Sequence, residues 1–128
     1  VRTASGRYID LWGKDPAGLL IYLSDGYMSV HVSNKGRPKF VANDFLFGSS
    51  EEIKCAFEGY TTYFGTYEYD ADKGVVFHHV HESLFPNWSG VTQRRLAEVA
   101  GHTLMLRTPP VAINGEKCVM ELCWQRLN

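Results

Sequence analysis

The chain has 128 residues, enough for one domain with a genuine apolar core. Hydrophobic residues make up 45% and charged residues 21%, as in ordinary soluble domains, and a formal charge of −1 without a basic run gives no footprint for nucleic acid or an anionic membrane. No apolar stretch approaches the ~20 residues of a membrane-spanning helix. The three cysteines lack CxxC spacing, so they are read as reduced, buried thiols of a cytoplasmic protein.

Turn signals recur at short intervals, with alternating or apolar runs between them, the pattern of an antiparallel meander. A weak strand candidate covers 7–12. "LLIYL" (19–23) meets Ser24-Asp25-Gly26 and continues as "YMSVHV" (27–32), a hairpin signature because Asp-Gly supplies the positive φ of a tight turn. A second weak candidate covers 38–42. "SSEEIKCAFEGY" then switches to helical spacing, with Ile53, Ala56, Phe57 and Tyr60 at i, i+3, i+4 and i+7. Ser49 and Glu52 have capping-box spacing and Gly59 is a C-terminal stop, which predicts one helix near 50–59.

"YFGTYEY" (63–69) and "VVFHHVHESL" (75–84) follow as long strands around the turn "DADKG". "FPNWSG" (85–90) reads as a loop: Pro86 cannot donate to a ladder, and Phe85 and Trp88 cap a barrel end. "VTQRRLAEV" (91–99), "TLMLRT" (103–108) and, after an Asn114-Gly115 turn, "KCVMELCWQR" (117–126) complete about eight strands. The expectation is a single all-β domain over 1–128, a closed antiparallel barrel with the helix as lid or plug.

Side-chain alternation assigns faces. In 117–126, Cys118, Met120, Leu122 and Trp124 face the interior, as do Leu104 and Leu106 in the preceding strand. The strand 75–84 does not divide cleanly, because His79 and His81 share a face with Val75 and Phe77, while His78 lies with Val76 and Val80. Some polar groups must therefore sit inside or at a mouth, where they need partners.

The blocks "GLLIYLSDGYMSV", "AFEGYTTYFGTYEYD", "HHVHESLFPNWSG" with "TQRR", and "LMLRTPP" resemble the lipocalin-like domain family of small bacterial and fungal proteins. The resemblance implies a calycin-type β-barrel with an interior cavity, and some members of that family accompany natural-product pathways. Family members open with a Gly-Thr-Trp strand that would precede Val1, so an N-terminal strand is expected upstream of the residues given.

Aromatic rings with a few convergent polar groups suit a small-molecule pocket. The ligand-contact candidates are His31, Tyr63, Tyr67, His79, His81, Trp88, Gln93, Arg95 and Trp124. His79, taken as the inward imidazole, is the candidate general acid or base. An inward arginine would favour a carboxylate or phenolate on the ligand. His79 and His81 have the i, i+2 spacing of two metal ligands, but Glu82 points the other way, so no metal and no cofactor is expected. The expected partner is a small hydrophobic or aromatic molecule, with neither nucleic acid nor membrane. The alternatives are a cofactor-free isomerase or cyclase using the same cavity, and a filled barrel acting through protein contacts as a homodimer.

Overall fold

The computed structural model describes residues 1–3 and 6–128. Its strands are β1 (Arg2–Thr3), β2 (Ala17–Tyr22), β3 (Tyr27–Ser33), β4 (Tyr60–Asp70), β5 (Val75–Ser83), β6 (Thr92–Ala100), β7 (Thr103–Arg107), β8 (Val111–Ile113), β9 (Glu116–Val119) and β10 (Glu121–Gln125). Helix α1 spans Ser50–Glu58, and a short 3-10 turn spans Pro86–Trp88. Seven strands form one antiparallel sheet in the order β10-β7-β6-β5-β4-β3-β2, and a smaller sheet has the order β1-β9-β8. Together they curl into a nearly closed barrel.

Turn chemistry fixes the hairpins. Gly26 takes φ +97° between β2 and β3, and Asn114 and Gly115 both take positive φ between β8 and β9, as a two-residue hairpin of their type demands. The expected strand 117–126 is interrupted at Met120. Its amide turns aside to the Thr108 hydroxyl at 2.9 Å while its carbonyl accepts from the Thr108 amide, dividing the run into β9 and β10.

Four expectations require correction. Residues 38–42 form no strand, since Pro38 interrupts the run and Phe40 instead packs over Gly48. Residues 7–12 contribute only an isolated bridge, Tyr8 to Arg2. Helix α1 is neither lid nor plug. It has the predicted capping box, in which Ser49 Oγ accepts from the Glu52 amide and Glu52 accepts from the Ser49 amide, yet none of its residues is buried. Ile53 and Phe57 remain exposed, as do Val41, Phe45, Leu46 and Phe47 in the preceding loop. Finally, Cys55 and Cys123 are exposed thiols and only Cys118 is buried.

The core fills the barrel as alternation requires. Met28, Val30 and Val32 from β3, Tyr63 from β4, Val80 from β5 and Met120 pack with Trp12 into one cluster. Val76, Ala97 and Leu106 form a second, bridged to the first by Leu20, Tyr22, Tyr67 and Trp124. No hydrogen-bonded ladder closes the barrel among the described residues. Among the described residues, β2 and β10 each have one unpaired edge, and a groove of about 930 Å³ runs between them, walled by Leu19, Ile21, Leu122 and Trp124.

Candidate functional site

The interior polar site is built from inward positions on four strands. On β5 these are Val76, His78 and Val80, because the ladder sets His78 opposite Tyr67 on one side and Gln93 on the other. His78 is only 1% exposed. Its Nε2 lies 2.6 Å from the Tyr22 hydroxyl and its Nδ1 lies 2.6 Å from the Tyr63 hydroxyl. A neutral imidazole has one N–H and one lone pair, so one tyrosine donates to the ring and the other accepts from it. Both nitrogens are thereby satisfied without water.

Arg95 enters from β6, opposite Val76, and is 6% exposed. Its Nη1 donates to the Arg94 carbonyl at 3.0 Å. No carboxylate lies within salt-bridge distance of it among the described residues. The electrostatics follow from burial plus this one cation. Burial, reinforced by the Arg95 charge, pushes the His78 pKa down to about 3, so the ring is neutral at physiological pH. Burial likewise raises Tyr22 and Tyr63, with Arg95 pulling against the rise in both. The tyrosines stay protonated, and Arg95 is the one formal charge.

Tyr63, His78 and Arg95 line an interior cavity of about 50 Å³ with Thr61 and Thr108, and the rest of its wall is apolar and aromatic, Trp12, Val30, Leu106, Met120, Trp88 and Trp124 among its residues. Two wall residues shape it. Trp88 sits on the 3-10 turn beyond β5, edge-on to both Tyr63 and Phe85, and closes the barrel end. Trp124 lies over Gly18, so close that a Cβ there would be 3.2 Å from its ring. The Trp124 indole N–H is buried and has no hydrogen-bond partner among the described residues.

The structure brings together Tyr63, Trp88, Arg95 and Trp124 of the predicted set around this cavity. Gln93 is inward and buried one pair along β6, and Tyr67 is inward but spends its hydroxyl on the Leu23 carbonyl at 2.8 Å. Three predicted residues lie outside. His79 is on the outer face, its side chain 37% exposed, bonded to Thr92 Oγ1 at 2.9 Å and Glu68 at 3.2 Å. His31 is also outward, held by Tyr60 and Thr62, and His81 is exposed against the edge of Phe64. The inward imidazole is therefore His78, and the placement of His79 in the cavity is corrected. His78 and Tyr22 were both missed. The available signal was that His79, His81 and Ser83 make one face of β5 increasingly polar, whereas Val76 and Val80 flank His78.

Among known proteins, the family model described as a lipocalin-like domain matches residues 1–127. A relative from Aspergillus oryzae, named a 4'-hydroxy-3'-methoxypropiophenone carrier protein, is 33% identical over 107 residues, spanning 78% of this chain and 96% of the relative. No solved structure matches. With the barrel, its interior site and a family match over nearly the whole chain in agreement, the protein belongs to the lipocalin-like domain family.

Proposed function

We propose that the protein is a carrier that holds a small aromatic molecule inside the barrel, beneath Trp88. The observation that carries this reading is the interior site itself, in which a few fixed polar groups project into an otherwise aromatic and aliphatic wall, the composition expected of a small-molecule pocket. The relative's name supports the same ligand class, an aryl ketone bearing a phenol. A volume of about 50 Å³ admits solvent but not an aromatic ring, so the ligand takes the space that the Trp88 indole now fills. Trp88 is suited to move, being half-buried on a three-residue turn.

Binding rather than turnover is the reading the imidazole supports. A general base works best with a pKa near the working pH, and His78 is far below it with both nitrogens engaged. The cytoplasm suits the exposed thiols of Cys55 and Cys123, which an oxidising compartment would tend to pair.

Titration of tryptophan fluorescence with 4'-hydroxypropiophenone and its 4'-methyl ether tests this. Saturable binding is expected, with Kd on the order of 10 µM for a ligand of this size. Trp88→Ala should raise the dissociation rate about tenfold, a loss of roughly 1.4 kcal/mol of closure. No saturation with either compound by the wild-type protein would end the carrier reading.

A further inference from the structure

The interior site is electrically incomplete. Arg95 is a permanent cation, more than nine-tenths buried, and every other titratable group facing it is neutral near pH 7. Those groups are Tyr22 from β2, Tyr63 from β4 and His78 from β5. From β10 the site receives Trp124, from the segment after β7 it receives Thr108, and no aspartate or glutamate lines the cavity. Burying an unpaired guanidinium costs several kcal/mol unless an anion or several hydrogen bonds compensate it. Its acceptors are neutral oxygens, the Arg94 carbonyl and the Tyr63 hydroxyl, and neither supplies the missing negative charge. Trp124, which lines the same cavity, has a buried N–H with no acceptor among the described residues. A buried cation without an anion and a buried N–H without an acceptor, on residues lining one cavity, describe half of a binding pair.

We propose that Arg95 makes this an oxyanion site, and that the carrier binds its aromatic ligand as the ionised phenolate rather than as the phenol. This rests on the carrier reading and specifies its ligand: a phenol acidified by a conjugated carbonyl on the same ring. Such a ligand loses its hydroxyl proton to solvent on binding, its oxygen accepts from the guanidinium, and the ring lies against the aromatic wall. A charge-assisted bond of this kind is about twice as strong as a neutral one. The Tyr22-His78-Tyr63 chain then has a definite role. It holds the site's other titratable groups uncharged, so that the guanidinium meets only neutral oxygens until the ligand supplies an anion.

Optical titration of bound 4'-hydroxypropiophenone separates the two forms, since its phenolate absorbs at longer wavelength than its phenol. The bound probe should ionise at least about one pH unit lower than the free probe, which is a tenfold preference for the anion. In Arg95→Met, which keeps the aliphatic stem, that displacement should vanish. Binding with an unchanged or raised ionisation pH in the wild-type protein overturns the anion site and leaves the carrier reading standing. Failure of the phenol and the ether alike to bind overturns both. If Arg95→Met does not fold, the wild-type titration by itself still distinguishes bound phenolate from bound phenol.

Discussion

Gly65→Ala is expected to destabilise the protein by about 3 kcal/mol or more, lowering Tm by roughly 10 °C. The cause is a close approach of two backbones. The β4–β5 register shifts between Phe64 and Gly65, so that Phe64 pairs with Glu82 but Gly65 pairs with Val80. His81 is the extra residue, and the bulge pushes the β5 backbone towards β4. A Cβ on Gly65 would collide with the His79 carbonyl oxygen, and would lie 2.9 Å from the His79 carbonyl carbon and 3.0 Å from the His81 nitrogen. None of these atoms belongs to a flexible side chain, so the ladder itself must shift. Gly101→Ala makes the control. Gly101 has φ +60° with open space around it, so its substitution costs backbone strain only, about 1 kcal/mol. Thermal unfolding of both variants tests the point, and equal losses would refute a steric role for Gly65.

The second large effect is on acid stability. The folded state holds His78 neutral down to about pH 3, whereas an unfolded histidine titrates near 6.5. Between those values the unfolded chain binds more protons, so stability rises with pH there and is lost as pH falls from 6.5 towards 3. Moving from pH 7 to pH 5 should remove about 2 kcal/mol through this residue. Two exposed carboxylates also favour the folded state, Asp15 through the hydrogen bond and charge of Lys35 and Glu52 through the Ser49 and Val41 amides. Their contributions are lost at lower pH, below the ordinary carboxylate range, and leave the pH 7 to 5 interval to histidine. Urea unfolding at the two pH values measures the difference. His78→Gln retains a donor and an acceptor for the two tyrosines but cannot titrate, so its stability should change little over that interval. An equally steep loss in the variant would place the effect elsewhere.

The sequence was most legible where one physical cause acted alone. The capping box at Ser49 and Glu52 and the left-handed turn at Asn114-Gly115 depend on a few adjacent residues, and both are present as expected. The alternation Cys118, Met120, Leu122, Trp124 gave the inner face correctly, because the opposing residues Lys117, Glu121 and Gln125 are polar. Strand β5 failed that test. Val75 and Val76 are both buried, so apolar residues occupy both faces at its start and period two carries no sign. The direction of His78 is decided by Tyr22, Tyr63 and Gln93, which lie 15 or more residues away in sequence and meet it only after the ladder has formed. Helix α1 erred in the opposite sense. Its amphipathic spacing was real, but its apolar face, Ile53 and Phe57, meets solvent instead of the barrel. Local periodicity specifies that a face exists; only packing specifies what covers it.

The order of the strands also bears on how the chain folds. From β4 to β7 every strand pairs with its neighbour in sequence, and β2 with β3 likewise, across short turns except for the 84–91 loop between β5 and β6, so most of the sheet assembles from contacts that close small loops. The β1–β9 ladder instead joins residues more than a hundred positions apart through two pairs. Closing so long a loop for so few hydrogen bonds is entropically the least rewarded step in the molecule. The central hairpins are therefore expected to form first and the β1–β9 ladder last, and amide exchange on heating should show Arg2–Thr3 and Cys118–Val119 opening before β4 to β7.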